Sequence, residues 1–172
     1  TVTTTDIDAN NGVIHVINRV LLPLNVVGHA LANSNFGSLT TSLGNASGDL
    51  IDVLNGAGPF TVFAPINEGF ADVDPNLSND ELRDILLYHV VPDAAYAADL
   101  ADGNNYFATA SASGPNDSPL SVLVKNNSGS VSINDIANVT ATDVVATNGI
   151  IHVVDAVYQP LDVVEHAVAN GG

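Results

Sequence analysis

A stretch near one end of the chain, "NGVIHVINRVLLPLNVVGHALAN" at 11–33, returns near the other end as "NGIIHVVDAVYQPLDVVEHAVAN" at 148–170. The offset is 137 residues. From position 2 to 33 it pairs 19 identical residues in 32, among them Asp6 with Asp143, His15 with His152, Pro23 with Pro160 and His29 with His166. A period of that length is far too long for a solenoid turn and falls at the commonest domain size, about 100–150 residues. The similarity runs through strand, turn and helix patterns alike. It predicts a segment of a tandem array: residues 1–23 close one repeat, 24–160 form a complete repeat, and 161–172 open the next.

Within that repeat the periodicity changes along the chain. Residues 2–9 and 13–21, and again 139–146 and 150–158, read as hairpins around Asn11-Gly12 and Asn148-Gly149. Asn-Gly there is expected to supply the positive φ that tight hairpin turns require. Val26, Val27, Ala30 and Leu31 fall at helical spacing, as do Leu39 and Leu43, and 48–56 reads as a short helix stopped by Gly56. "PFTVFAP" at 59–65 is a strand with Phe60, Val62 and Ala64 on one face. "SNDELRDILLYHVV" at 78–91 opens with a capping box, Ser78 and Glu81, and sets Leu82, Ile85, Leu86 and His89 on one helix face. Residues 104–110, 120–125 and 130–134 read as strands, with loop chemistry at 111–119. Helices early and strands late, with mixed order between, predict an α+β fold.

Composition removes several functions. Nineteen acidic residues against three basic ones (Arg19, Arg83, Lys125) give a net charge of −16. Such a chain has nothing with which to neutralise phosphates, so no nucleic-acid partner is expected. There is no Cys, hence no disulfide framework and no thiolate chemistry. No apolar run approaches the roughly 20 residues that span a bilayer, so no membrane insertion is expected. Residues 1–10 lack the basic start and apolar stretch of a secretion signal; any such segment is expected to lie upstream or to have been removed.

Three motifs then align with one family. "GPFTVFAPINEGF" (58–70), "LRDILLYHVVP" (82–92) and "ATNGIIHVVDAVYQP" (146–160) occur in the order of the signatures of fasciclin domains, and the helical opening "VVGHALANSNFGSL" (26–39) fits as well. Residues 24–160 thus resemble a fasciclin domain, 1–23 its closing hairpin from a preceding copy, and 161–172 the first helix of a following one. The resemblance implies a β-wedge of about seven strands with several packed helices. It also implies an extracellular or surface-anchored protein, often of tandem copies, that serves adhesion or matrix organisation without catalysis or cofactor. In some animal members the Tyr-His segment and an Asp-Ile pair before the closing hairpin are implicated in integrin binding. The matching positions are Tyr88, His89, Asp135 and Ile136.

The residues themselves support no catalytic or metal site. The five His (15, 29, 89, 152, 166) form no i, i+4 pair and no HExxH, so no zinc is expected. His15, His89 and His152, set among apolar neighbours, are expected to be packing residues with satisfied ring nitrogens. "DIDANNG" at 6–12 fails the EF-hand loop twice, with Asn11 at its sixth position and Ile17 at its twelfth. "DVDPNLSNDE" at 72–81 reads as a solvated capping loop. There is no G-x-S-x-G elbow. Asn-x-Ser/Thr occurs at Asn45, Asn76, Asn116, Asn126 and Asn138, close to what this Asn, Ser and Thr content produces by chance.

Two functions remain. The first is a binding module that acts in tandem copies on a cell-surface or matrix protein or glycan. The second is a carrier holding a small apolar ligand or glycan in a groove near the 111–119 loop, Tyr96, Tyr106 and Phe107. Residues 1–23 carry Val13, Ile14, Val16, Ile17, Val20, Leu21 and Leu22. Such a ribbon is expected to fold back on the complete repeat or to dock on a neighbouring chain, with strand-exchanged homo-oligomers as one result.

Overall fold

The computed structural model describes residues 1–161, 164 and 168. Most of residues 161–172, the expected start of a following repeat, therefore lie outside the described residues. The elements are β1 (Val2–Ala9), β2 (Gly12–Ile17), α1 (Val26–Ala32), α2 (Gly37–Asn45), α3 (Leu50–Leu54), β3 (Phe60–Pro65), α4 (Asn79–Tyr88), β4 (Val90–Val91), β5 (Gly103–Ala108), β6 (Ser121–Asn127), β7 (Ser130–Ile133), β8 (Ala137–Ala146) and β9 (Gly149–Val154). Helices precede most strands, and the fold is α+β.

Strands β3 to β9 form one seven-stranded sheet in the order β4-β3-β9-β8-β7-β6-β5. All its neighbours are antiparallel except β3 and β9, which run parallel from Phe60↔Gly149 to Pro65↔Val154. That one parallel pair brings the Phe60 strand beside the closing hairpin, although some 90 residues separate them. Alternation along β3 splits the core in two. Val62 and Ala64 face the helices and join Val26, Val27, Leu39, Leu43, Leu54, Leu86 and Ile151. Phe63 faces the other way, among Tyr88, Val91, Val122, Val124, Ile133, Val154 and Tyr158.

Local chemistry sets the helix ends. The Asn25 side chain accepts from Gly28 N–H at 2.8 Å and caps α1. Ser78 and Glu81 form the expected capping box on α4. Leu31, read as part of the buried stripe of α1, is instead 67% exposed, because α1 ends one residue later and only Val26, Val27 and Ala30 reach the sheet.

The two copies of the hairpin have identical geometry and different surroundings. β1 and β2 pair as Val2↔Ile17, Thr4↔Val16, Ile7↔Ile14, Asp8↔Val13 and Ala9↔Gly12. β8 and β9 pair as Val139↔Val154, Ala141↔Val153, Val144↔Ile151, Val145↔Ile150 and Ala146↔Gly149. Every pair, and both register shifts, differ by the same offset of 137. The β8–β9 copy lies inside the large sheet, whereas β1–β2 forms its own two-stranded sheet with every strand residue exposed. The expected folding back of residues 1–17 on the complete repeat does not occur.

The turn chemistry differs from expectation. The turn residues are Asn10-Asn11 and Thr147-Asn148, and none of them, nor Gly12 or Gly149, has positive φ. Gly149 is the first residue of β9, and a Cβ there would run into the carbonyl oxygen of Phe60. Glycine is needed for the close approach of two backbones, not for the turn.

Candidate functional site

The C-terminal end of α4 drives Tyr88 and His89 into the fold, where they are 0% and 2% exposed. The His89 Nδ1–H donates to the Ile85 carbonyl at 2.8 Å, and Nε2 accepts from the Tyr158 N–H at 3.3 Å. A carbonyl only accepts and an N–H only donates, so these two bonds fix one neutral tautomer. The ring also lies 3.9 Å, centroid to centroid, from that of Tyr158. Burial pushes the His89 pKa down to about 4, against a smaller opposing effect of the Ile85 hydrogen bond. His89 is thus a satisfied packing residue, as its apolar helix face foretold.

The Tyr88 hydroxyl donates to the Ser121 carbonyl at 2.8 Å and accepts from Asn134 Nδ2 at 3.1 Å. Burial raises its pKa, and the hydrogen bonds from Asn134 and the Leu161 backbone offset this in part. Asn134 also donates to the Gln159 carbonyl at 3.0 Å and accepts from Leu123 N–H at 3.0 Å. This buried side chain clasps β6, α4 and the segment after β9 together. Sequence reasoning did not single it out; its only signal was an Asn immediately before the Asp-Ile pair.

Asp135 and Ile136 follow on the turn between β7 and β8. Asn134 and Asp135 both have positive φ, 54° and 55°, and Ile136 N–H closes the turn on the Ile133 carbonyl at 2.9 Å. Asp135 Oδ2 pairs with Lys125 Nζ at 2.7 Å, and Ile136 is 50% exposed. Of the four positions named by resemblance, Tyr88 is joined to this turn through Asn134, whereas His89 bonds to Ile85 and Tyr158 instead. Asp135 and Ile136 lie at the surface; Tyr88 and His89 are buried, and Tyr88 alone of the two bonds Asn134 at the turn's base.

Tyr158 completes this cluster. Its ring meets Tyr88 edge-on at 5.6 Å, and its buried hydroxyl has no hydrogen-bond partner among the described residues. Burial, with a further contribution from Tyr88, raises its pKa well above the usual phenol range. An unpartnered buried hydroxyl costs about 1–3 kcal/mol. Tyr158→Phe is therefore expected to leave the urea midpoint unchanged or raise it. A loss above about 1 kcal/mol would mean that the hydroxyl is satisfied after all.

The two equivalent histidines share one bond and differ in another. His152 Nδ1 accepts from Asp143 N–H and His15 Nδ1 from Asp6 N–H, both at 3.3 Å, with both aspartates at positive φ. His152 Nε2–H also donates to the Ala95 carbonyl at 2.9 Å, and its ring stacks on Phe63 at 5.5 Å. His152 is 4% exposed and packs as expected, whereas the side chain of His15 is 51% exposed. His15 lacks the surroundings that bury its counterpart.

The carrier reading needs a groove. The apolar space between helices and sheet measures about 30 Å³, on the order of one water. A second void, lined by Phe63, Leu100, Phe107 and His152, measures about 10 Å³. Tyr106 lines neither, and Tyr96 borders instead an open surface groove of about 260 Å³ with Pro59, Val145 and Ile150. The 111–119 loop is tied to α4 by a bond from Ser113 to Asp84 at 2.8 Å. Neither void holds a small-molecule ligand without rearrangement. Among the described residues no helix is long and apolar enough to cross a membrane, and no three His, Asp or Glu converge as metal ligands.

The model of the fasciclin domain matches residues 1–23 and 34–160, and the chain belongs to that family. It is 37% identical to the Synechocystis protein sll1483 over 145 residues, 80% of this chain and 74% of that protein. It is 26% identical to human periostin over 160 residues, 88% of this chain but 18% of periostin. Among solved structures it resembles a FAS1 domain pair from the insect cell adhesion molecule fasciclin I, with a TM-score of 0.64 and 25% identity. That match covers 95% of this chain and 60% of the pair.

Proposed function

We propose that this chain is part of a secreted or cell-surface protein in which fasciclin domains act in tandem as non-catalytic adhesion or matrix-binding modules. In this reading, residues 1–23 close a preceding repeat, 24–160 form a complete one and 161–172 open the next. The family membership and the resemblance to the fasciclin I pair support it. So does the identical pairing of the two hairpins at an offset of 137.

The contact surface is the Asp135–Ile136 turn. The observation that carries this is an exposed isoleucine on a turn whose base, Asn134, is hydrogen-bonded on three sides within the core. Tyr88 supports it from below through Asn134, and His89 packs on Tyr158; both rings are buried and contact no partner directly. The partner class is a cell-surface or matrix protein or glycan. One small contact per repeat binds weakly; repetition turns it into firm attachment by raising the effective concentration of the second contact.

The test is attachment of beads carrying the chain to cells or matrix, at several surface densities. Attachment should rise more steeply than density. The double substitution D135N/I136A should reduce it at least tenfold with little change in thermal stability, because both side chains lie at the surface and Asn tolerates the left-handed backbone at 135. Attachment that is proportional to density and indifferent to the substitution would overturn the reading.

A further inference from the structure

Helix α2 breaks a rule that surface helices usually keep. Seven of its nine residues (GSLTTSLGN) are Gly, Ser, Thr or Asn, all poorer helix formers than alanine. None of the nine is charged, in a chain with 19 acidic residues. Only Leu39 and Leu43 are buried and hold the helix to the core. Gly44 shows the cost most plainly. It lies inside the helix without positive φ, and a Cβ there would meet nothing within 4 Å. No backbone or packing demand requires glycine, and alanine would make a more stable helix. Positions that break a local rule without a structural gain are where function is expected.

The outward side of α2 lines an open groove of about 1040 Å³. Ser38, Thr41, Ser42 and Asn45 form that wall, and Gly37 and Gly44 leave room between them. The 67–82 segment supplies apolar surface from Phe70, Val73, Leu77 and Leu82, all half-buried, together with Asn79. The two walls are pinned at both ends. At one end Asn67 Oδ1 accepts from Ser38 N–H and Nδ2 donates to the Ser34 carbonyl, both at 2.9 Å. At the other, Ser47 N–H donates to the Asn79 carbonyl at 3.1 Å and its hydroxyl donates to Asp80. The groove is therefore preformed, as binding sites need to be. The side chains of Ser38, Ser42, Asn45 and Asn79 make no hydrogen bond among the described residues, so their donors and acceptors stay available to a ligand.

The lining selects the class of ligand. It contains no Lys or Arg, and its one acidic residue, Asp74, already accepts from Asn76 N–H and Nδ2 at 2.9 and 3.0 Å. Phosphates, sulfated sugars and uronates are repelled, the more so by the net charge of −16. A wholly apolar ligand would bury the hydroxyls and amides without partners. An extended polypeptide needs backbone partners, and no sheet strand lines the groove to supply them. Ser, Thr and Asn side chains both donate and accept, as sugar hydroxyls do. A sugar ring carries C–H groups on its faces and hydroxyls at its edge, which suits apolar surface beside a wall of hydroxyls. We propose that this groove binds a neutral oligosaccharide, with ring faces on Phe70 and hydroxyls on Ser42, Asn45 and Asn79. Ligand clefts span about 300–1,000 Å³, and a groove at the upper end suits several linked rings rather than one.

The groove is separate from the Asp135–Ile136 turn. It lies at the first turn of α4, whereas Tyr88, the last residue of that helix, bonds Asn134 at the turn's base. The length of α4 puts about 15 Å between them. The oligosaccharide site rests neither on the adhesive turn nor on tandem copies: attachment through the turn can fail while sugar binding holds, and the reverse.

The test is titration of the full chain with neutral tetrasaccharides of glucose, mannose and galactose, followed by the NMR shifts of backbone amides. At least one should shift the amides of 37–45 and 67–82 saturably. Trigalacturonate and a neutral peptide of Gly, Ser and Asn should not. S42A/N45A replaces poor helix formers with alanine, so it should keep or raise the melting midpoint while weakening sugar binding about tenfold or more. G44A should raise the midpoint and leave binding unchanged. D135N/I136A should leave sugar binding unchanged even where it abolishes bead attachment. The proposal is overturned if no neutral tetrasaccharide shifts these amides, or if trigalacturonate or the peptide shifts them as strongly. Binding by S42A/N45A as tight as that of the parent, or loss of sugar binding in D135N/I136A, likewise overturns it, since the sugar then sits elsewhere.

Discussion

Asn148→Ala is expected to destabilise the protein by at least about 3 kcal/mol, while Asn11→Ala changes stability by less than about 0.5 kcal/mol. The two residues occupy the same place in the same hairpin. The Asn148 side chain joins three segments: its Oδ1 holds the first free N–H of α1 at Val26, and its Nδ2 holds the carbonyls of Leu54, at the end of α3, and of Gly56. Each bond contributes about 1 kcal/mol net, and truncation also leaves buried backbone groups without partners. Asn11 makes no such bond among the described residues. Urea denaturation of both variants measures the difference directly. Equal effects would show that the hairpin context does not set the energy.

Acidification should remove roughly 3 kcal/mol of stability through His89 alone. Its pKa is about 4 when folded, against an ordinary value of 6.5, because burial disfavours the imidazolium. The unfolded chain therefore binds this proton more readily. The stabilisation is complete above pH 6.5 and is lost as the pH falls from 6.5 to about 4; about 2.5 pH units at about 1.4 kcal/mol each gives the magnitude. The groups facing the ring are the Ile85 carbonyl, the Tyr158 N–H and the Tyr158 phenol, none of which supplies a negative charge to hold the imidazolium. Glu81, whose capping hydrogen bonds to Ser78 lower its pKa below 4.5, acts in the same direction, with loss at lower pH. Unfolding free energies at intervals from pH 8 to 4 test the window. NMR titration isolates the group: a midpoint near 6.5 for His89 would refute the assignment.

Much of the architecture was legible in order and period. The capping box at Ser78, the face of Val62 and Ala64, the inward Leu39 and Leu43 and the α+β class all follow from spacing alone. The site was legible only in part. Tyr88 is tied to the turn that carries Asp135 and Ile136, yet the residue that ties it, Asn134, carries no pattern in the sequence, and His89 packs on Tyr158 instead. A side chain that clasps three elements leaves no periodic trace, because its partners Leu123, Tyr88 and Gln159 are distant in the chain. At Asn148-Gly149 the hairpin is the one expected, but the positive φ is absent for a related reason. Asn-Gly is a turn signal locally, whereas here its demands come from Phe60, Val26 and Leu54.

The sequence by itself determined the hairpin: its length, its register, both irregularities and the bond from aspartate N–H to histidine repeat at both ends of the chain. Pairing between adjacent strands depends on residues within the hairpin, so the same letters give the same ribbon. Only the tertiary structure decided that one ribbon is core and the other surface. Burial depends on what the rest of the chain brings alongside, and the single β3 strand of this chain accommodates a single hairpin.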